Sequence, residues 1–171
     1  RSNTIGLVLS DISNPFFANI AWAVEQAAGQ AGFATLAGSS GEDPVRERTY
    51  IENLRSRGAD GLIVAPAGGD YEHLFRLKAE GYPFVLLDRV FEDLDCDCVA
   101  VDNVRAAKAV CAALIAHGAR RIGCIGGRME TSTGRGRGSG KITLGNTNET
   151  ETGQTISTGR ICSPPTRSTH R

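Results

Sequence analysis

Ile5-Gly-Leu-Val-Leu-Ser10, running into Asp11-Ile-Ser-Asn-Pro-Phe-Phe17, is the stretch whose reading decides the fold. The first half is a short apolar run, the signature of a buried strand. Asn14-Pro15 then supplies a helix N-cap and a first-turn proline. Phe17, Ile20, Ala21, Val24, Ala28 and Ala31 follow at helical spacing, and Gly32 stops the helix.

Outward from this unit the alternation repeats. Phe33 to Ala37 reads as a second strand. Asp43-Pro44 opens a helix with Tyr50, Ile51 and Leu54, stopped by Gly58. Gly61 to Ala65 is a third strand, Asp70 to Glu80 a third helix, and Phe84 to Asp88 a fourth strand. Cys98 to Val101 is a short fifth strand, Asn103 to His117 a helix ended by Gly118, and Arg121 to Ile125 the last strand. Strands separated by helices are βαβ units. They predict an α/β fold, with a parallel sheet, helices on both faces and right-handed crossovers. Ligands of such sheets bind beyond the carboxyl ends of the strands. That rule selects residues 11–17, 66–70, 88–89, 102–103 and those from Arg128 onward.

Composition narrows the function. The 171 residues carry 19 basic and 19 acidic side chains, which argues against wholesale adhesion to nucleic acid or membrane. No apolar run approaches a membrane span, and no basic-then-apolar leader opens the chain. Five cysteines, with only Cys96 and Cys98 close together, fit reduced thiols in a cytosol better than a disulfide framework. The average hides a split. Residues 1–130 hold 13 basic and 17 acidic residues, and residues 131–171 hold 6 and 2. From Lys141 onward only Ile142, Leu144, Ile156, Ile161 and Cys162 are hydrophobic. Such a segment buries too little apolar area to offset its ordering entropy, so 139–171 is expected to be disordered or aberrant.

At the selected edge, Phe16 and Phe17 are aromatics able to stack on the apolar face of a sugar or a base. Asp88 and Arg89 offer acceptors and a planar donor fork suited to hydroxyls. Each has a plainer reading beside it: a cap for Asn14, core packing for the phenylalanines, above all Phe17, and a surface ion pair for Asp88 and Arg89. Their shared position on one sheet edge favours a ligand site. Catalytic readings fare worse. The turn after the first strand lacks the G-x-G-x-x-G pattern, and Gly134 to Lys141 fails the phosphate-loop pattern at Arg135 and Ile142. No G-x-S-x-G elbow is present, and His73, His117 and His170 are too scattered for a metal cluster. No enzyme activity, metal or cofactor is expected. His117 reads as a helix C-terminal residue favoured by the dipole.

Thr4-Ile-Gly-Leu-Val-Leu-Ser-Asp-Ile-Ser-Asn-Pro-Phe-Phe17 resembles the opening of the effector-binding domain of LacI-type transcription regulators, a domain similar to periplasmic sugar-binding proteins. Gly58 to Val64, Pro83 to Arg89, Val101-Asp-Asn103 and His117 to Gly127 agree in order and spacing. The resemblance implies a type I periplasmic-binding-protein-like fold of two α/β lobes around a cleft. Residues 3–102 would form a nearly complete N-terminal lobe, and 103–138 the start of a truncated second one. It implies ligand contacts from Asn14, Phe16, Phe17, Asp88, Arg89 and Asp102. Ser132-Thr-Gly-Arg-Gly-Arg137 matches a further motif whose second arginine, Arg137, contacts ligand. Implied partners are a small-molecule effector (a sugar or sugar derivative), a second copy in a homodimer, and operator DNA through an N-terminal helix-turn-helix.

The sequence departs from the family in three places. No helix-turn-helix precedes Thr4, glycines 134, 136, 138 and 140 spoil the helix expected after Ser132, and the pattern is lost after about Gly140. A frameshift would explain the last. With one cleft wall, sugar binding is expected to be weak. The alternatives are a periplasmic binding protein of a transport system, a flavodoxin-like enzyme, and an RNA-binding role for the Arg/Gly stretch at 134–140.

Overall fold

The computed structural model describes residues 2–91 and 93–123. Strands β1 (Thr4–Leu9), β2 (Ala34–Ser39), β3 (Gly61–Val64), β4 (Phe84–Leu87) and β5 (Cys98–Val99) alternate with helices α1 (Pro15–Gln30), α2 (Pro44–Ser56) and α3 (Glu72–Ala79), and α4 (Asn103–Ala116) follows β5. All strand pairs are parallel, in the order β2-β1-β3-β4-β5.

The local chemistry sets the ends. Asn14 caps α1 by accepting the Phe16 N–H, and Asp43 caps α2 by accepting those of Val45 and Arg46. Gly32 and Gly58 follow the first two helices with positive φ, which L side chains resist. The third helix starts at Glu72 rather than at Asp70. Gly68 and Gly69 turn the chain with positive φ, and the Asp70 carboxylate accepts the Glu72 N–H at 3.0 Å. The fifth strand stops at Val99, short of Val101, after its carbonyl accepts the Asp88 N–H. Arg121, Ile122 and Gly123 form no strand, and the rest of the expected last strand, Cys124 and Ile125, lies outside the described residues.

Strand β1 is the axis. Leu7, Val8 and Leu9 are wholly buried, on alternating faces. Leu7 and Leu9 meet Phe17, Ile20, Ala21 and Val24 of α1, together with Ala65. Val8 belongs to a second core with Ile51 and Leu54 of α2, Leu74 and Leu77 of α3, and Leu62, Val64 and Leu86. Right-handed crossovers require this division, because α1 leads to one side of β1 while α2 and α3 lead to the other. Each large side chain so buried stabilises by about 1.5–3 kcal/mol. Close approach of α2 depends on glycine. A Cβ on Gly38 would lie 2.6 Å from the Tyr50 ring. Helix α4 differs from the rest: it has no buried residue, and Val110, Leu114 and Ile115 are exposed.

A buried carboxylate sits above the second core. Glu47, 1% exposed, accepts the Ala67 N–H at 2.5 Å and the His73 Nε2–H at 2.7 Å. It joins α2, α3 and the segment leaving β3. Removing one partner of such a pair strands the other without a hydrogen bond. Glu47→Ala is therefore expected to lower unfolding free energy by about 3 kcal/mol in urea titration. Trp22→Ala, at a side chain 66% exposed, is expected to change it by less than about 0.5 kcal/mol. Equal losses at the two sites would contradict this assignment.

Tyr82 gives a second test. Its hydroxyl donates to the Ala59 carbonyl, and the Arg55 guanidinium lies 4.7 Å above its ring. Burial pushes the Tyr82 phenol up, with Arg55 opposing and Asp60 reinforcing. A folded value above the unfolded one means full stability below the ordinary phenol pKa of about 10, lost as pH rises through the raised value. The melting temperature of the parent is expected to fall more steeply above pH ~10 than that of Tyr82→Phe. Identical slopes would contradict it.

Candidate functional site

The chain reverses direction across the sheet between β1 and β3, and loops leaving their carboxyl ends diverge there. Such a topological switch point opens a crevice. Segments 10–14, 65–71 and 100–102 leave the same edge, as do Asp88 and Arg89.

The β1–α1 segment is tightly held. Asp11 Oδ1 accepts the Ser13 N–H at 2.9 Å and the Ser13 hydroxyl at 2.7 Å. These bonds hold the Asp11 carboxyl below its usual range, so it is ionised at neutral pH. The Ile12 N–H donates to Ser39 Oγ at 3.1 Å, anchoring the segment to the end of β2. Asn14 uses its side-chain oxygen for the Phe16 N–H at 3.0 Å, so the cap reading holds for that atom.

The two phenylalanines divide. Phe16 is 43% exposed, whereas Phe17 is 4% exposed and packs between α1 and the sheet. Their rings meet edge to face with centroids 5.0 Å apart. Helical spacing already placed Phe17 on the apolar stripe, and the structure puts its ring in the core.

Asp88 has φ 66°, and the Arg89 N–H reaches back to the Leu87 carbonyl at 2.7 Å, which makes a three-residue γ-turn. A non-glycine residue there costs about 1–3 kcal/mol. The turn brings the Arg89 guanidinium over the crevice floor. Its Nη1 donates to Glu42 Oε2 at 2.7 Å, to the Pro66 carbonyl at 2.7 Å and to the Ala67 carbonyl at 3.0 Å. Its Nη2 donates to Glu42 Oε1 at 2.8 Å. The ion pair is thus bidentate and partly buried, not a surface pair. Arg89 Nε and the hydroxyl of Ser10 are buried with no hydrogen-bond partner among the described residues.

Asp102 caps α4, accepting the Arg105 N–H at 2.9 Å, and is exposed at the edge beyond β5. Arg137 lies outside the described residues. Asn14, Phe16, Asp88, Arg89 and Asp102 therefore share one edge of the sheet, while the ring of Phe17 sits beneath it. Among the described residues no cluster of three metal-ligating side chains exists. His117 closes α4, its Nδ1 2.8 Å from the Ala113 carbonyl, as a C-terminal helix residue.

Sequence reasoning missed Glu42, Glu47 and His73. For Glu47 a signal existed: with Tyr50, Ile51 and Leu54 it completes an i, i+3, i+4, i+7 stripe, so a carboxylate stands in phase with the buried face. His73 precedes Leu77 by one turn in the same way. Glu42 lies in a loop at φ 63°, and no periodicity marks it.

Comparison with known proteins agrees with this fold. Residues 2–143 match the family described as periplasmic binding proteins and sugar binding domain of LacI family. The HTH-type transcriptional regulator DegA of Bacillus subtilis is 32% identical over 140 residues, 80% of this chain and 42% of its own. The fructose operon regulatory protein of Vibrio cholerae is 30% identical over 143 residues, 82% of this chain and 43% of its own. The crystal structure of the Cra transcriptional dual regulator from Pseudomonas putida, in complex with fructose 1-phosphate, has a TM-score of 0.74 and 31% identity, covering 80% of this chain and 51% of that one. The chain thus spans about half the length of these relatives or less. The parallel sheet, its switch point and these matches carry one conclusion: the chain belongs to the LacI branch of the periplasmic-binding-protein family.

Proposed function

We propose that the described lobe is one wall of the effector site of a sugar-responsive transcription regulator. The observation that carries this is the exposed ring of Phe16 at the switch point, on the same sheet edge as the polar groups of Asp88 and Arg89. A sugar presents an apolar face and a rim of hydroxyls, and a ring face with neighbouring fixed polar groups complements both. Asn14 would contribute its amide nitrogen, which capping does not use, and Asp102 its free carboxylate lone pairs. Phe17 would support Phe16 from the core rather than touch the ligand. Arg137 would contribute from the opposing lobe that the family pattern implies.

The mechanism is binding, not catalysis. Residues 3–102 form the N-terminal lobe in this reading, and the second lobe begins near Asn103. Exposure of the apolar stripe of α4 supports a further packing partner there. An effector held between two lobes favours their closed arrangement. In a homodimer that shifts population toward one operator affinity. The regulator would work in the cytoplasm, where its operator DNA is. Relatives named for a fructose operon and crystallised with fructose 1-phosphate support a sugar or sugar derivative as effector.

The test is calorimetry on the protein expressed from its whole gene, against a panel of sugars and sugar phosphates. Phe16→Ala is expected to weaken binding of the preferred compound about tenfold, the scale of a lost aromatic contact with its burial. Trp22→Ala is expected to leave it within about twofold. Loss of affinity at Trp22 and none at Phe16 would overturn the assignment.

A further inference from the structure

The charge of the site edge is uneven. Segments leaving the carboxyl ends of the strands carry Asp11, Glu42, Asp43, Asp70, Asp88 and Asp102 against Arg89. Arg46 and Arg105, in the first turns of α2 and α4, return part of that charge. The one guanidinium at the crevice floor is already matched. Glu42 takes both Nη groups of Arg89 in a bidentate pair, and the Pro66 and Ala67 carbonyls take Nη1 again. Within this pair the charge is neutral. Arg89 Nε is buried, without a hydrogen bond among the described residues, so the guanidinium offers no open fork at the edge.

Two kinds of effector would meet this wall differently. A phosphate or carboxylate seeks the whole fork of an arginine, two parallel N–H bonds and an uncompensated positive charge. Here that fork is closed by Glu42, and Asp11 and Asp88 add negative charge to the same sheet edge. A hydroxyl asks only for one donor or one acceptor. The edge carboxylates supply acceptors, and the Asn14 amide nitrogen a donor, without a change in charge.

We propose that Glu42, by masking Arg89, makes this wall of the site favour an uncharged polyhydroxy ligand over a phosphorylated one. This rests on the effector-site reading above. The backbone at Glu42 serves the same end: its positive φ and its N–H bond to the Ser10 carbonyl at 2.9 Å place a carboxylate where the β2–α2 loop meets Arg89.

The experiment is calorimetric titration of the whole-gene protein with matched pairs: D-ribose and ribose 5-phosphate, D-glucose and glucose 6-phosphate, D-fructose and fructose 1-phosphate. The preferred neutral sugar is expected to bind at least about tenfold more tightly than its phosphate, the scale of one unit charge a few ångströms away in a half-wet site. Added salt is expected to narrow the gap by screening. Glu42→Gln is expected to narrow it about tenfold through gain of the phosphate, while Glu42→Asp, which keeps the charge, keeps the preference. Tighter binding of a phosphate by the parent, or an unchanged gap in a folded Glu42→Gln, overturns the proposal. A parent that binds neither member of any pair overturns the effector-site reading with it. Sugar binding that ignores Phe16→Ala, with the gap still narrowed by Glu42→Gln, removes Phe16 from the site and leaves the charge proposal standing.

Discussion

Strand β1 has no solvent-facing side, and that constraint organises the rest of the molecule. Leu7 and Leu9 on one face and Val8 on the other reach complete burial only if helices cover both. With right-handed crossovers, a first strand buried on both faces must be central, with β2 to one side and β3 to the other. The reversal of direction follows from this, and the crevice follows from the reversal. The hydrophobic core and the crevice are thus two results of one topological fact.

A second layer is polar. Above the core of Val8, Leu74 and Leu86, the buried pair of Glu47 and His73 fixes the Ala67 peptide, and the carbonyl of the same residue accepts from Arg89. Arg89 in turn holds Glu42. Five elements of the chain are connected through these groups: α2, α3, the β2–α2 loop, the β3–α3 segment and the end of β4. Loops at a ligand site are exposed and entropically costly to order. Tying these loops to one another through buried polar groups restricts their freedom.

Much of this was legible in the sequence, for identifiable reasons. Apolar runs such as Ile5 to Leu9 and caps such as Asn14-Pro15 and Asp43-Pro44 are local signals, and they placed the strands and helices through α4 to within a residue or two, whereas the strand expected from Arg121 does not form over 121–123. The edge residues could be selected because parallel sheets bind at carboxyl ends whatever the chemistry. Partnerships were not legible. Glu42 and Arg89 are 47 residues apart and belong to loops without a period, so nothing in the order of residues announces that one neutralises the other. The division of labour between Phe16 and Phe17 lay between these cases. Helical phase favoured the core for Phe17, and only packing against Leu7, Leu9 and Ala65 decides it.

The central claim is that ligand enters at the carboxyl edge of the sheet, between the segments after β1, β3 and β4. Amide hydrogen exchange with and without a saturating sugar reads this edge directly. The account predicts new protection in 10–17, 65–70, 88–90 and 100–103, with none at the opposite edge, where Gly32, Gly58 and Gly81 turn the chain. Protection confined to that opposite edge, or absent from 10–17 and 88–90 while the sugar is bound, would contradict it.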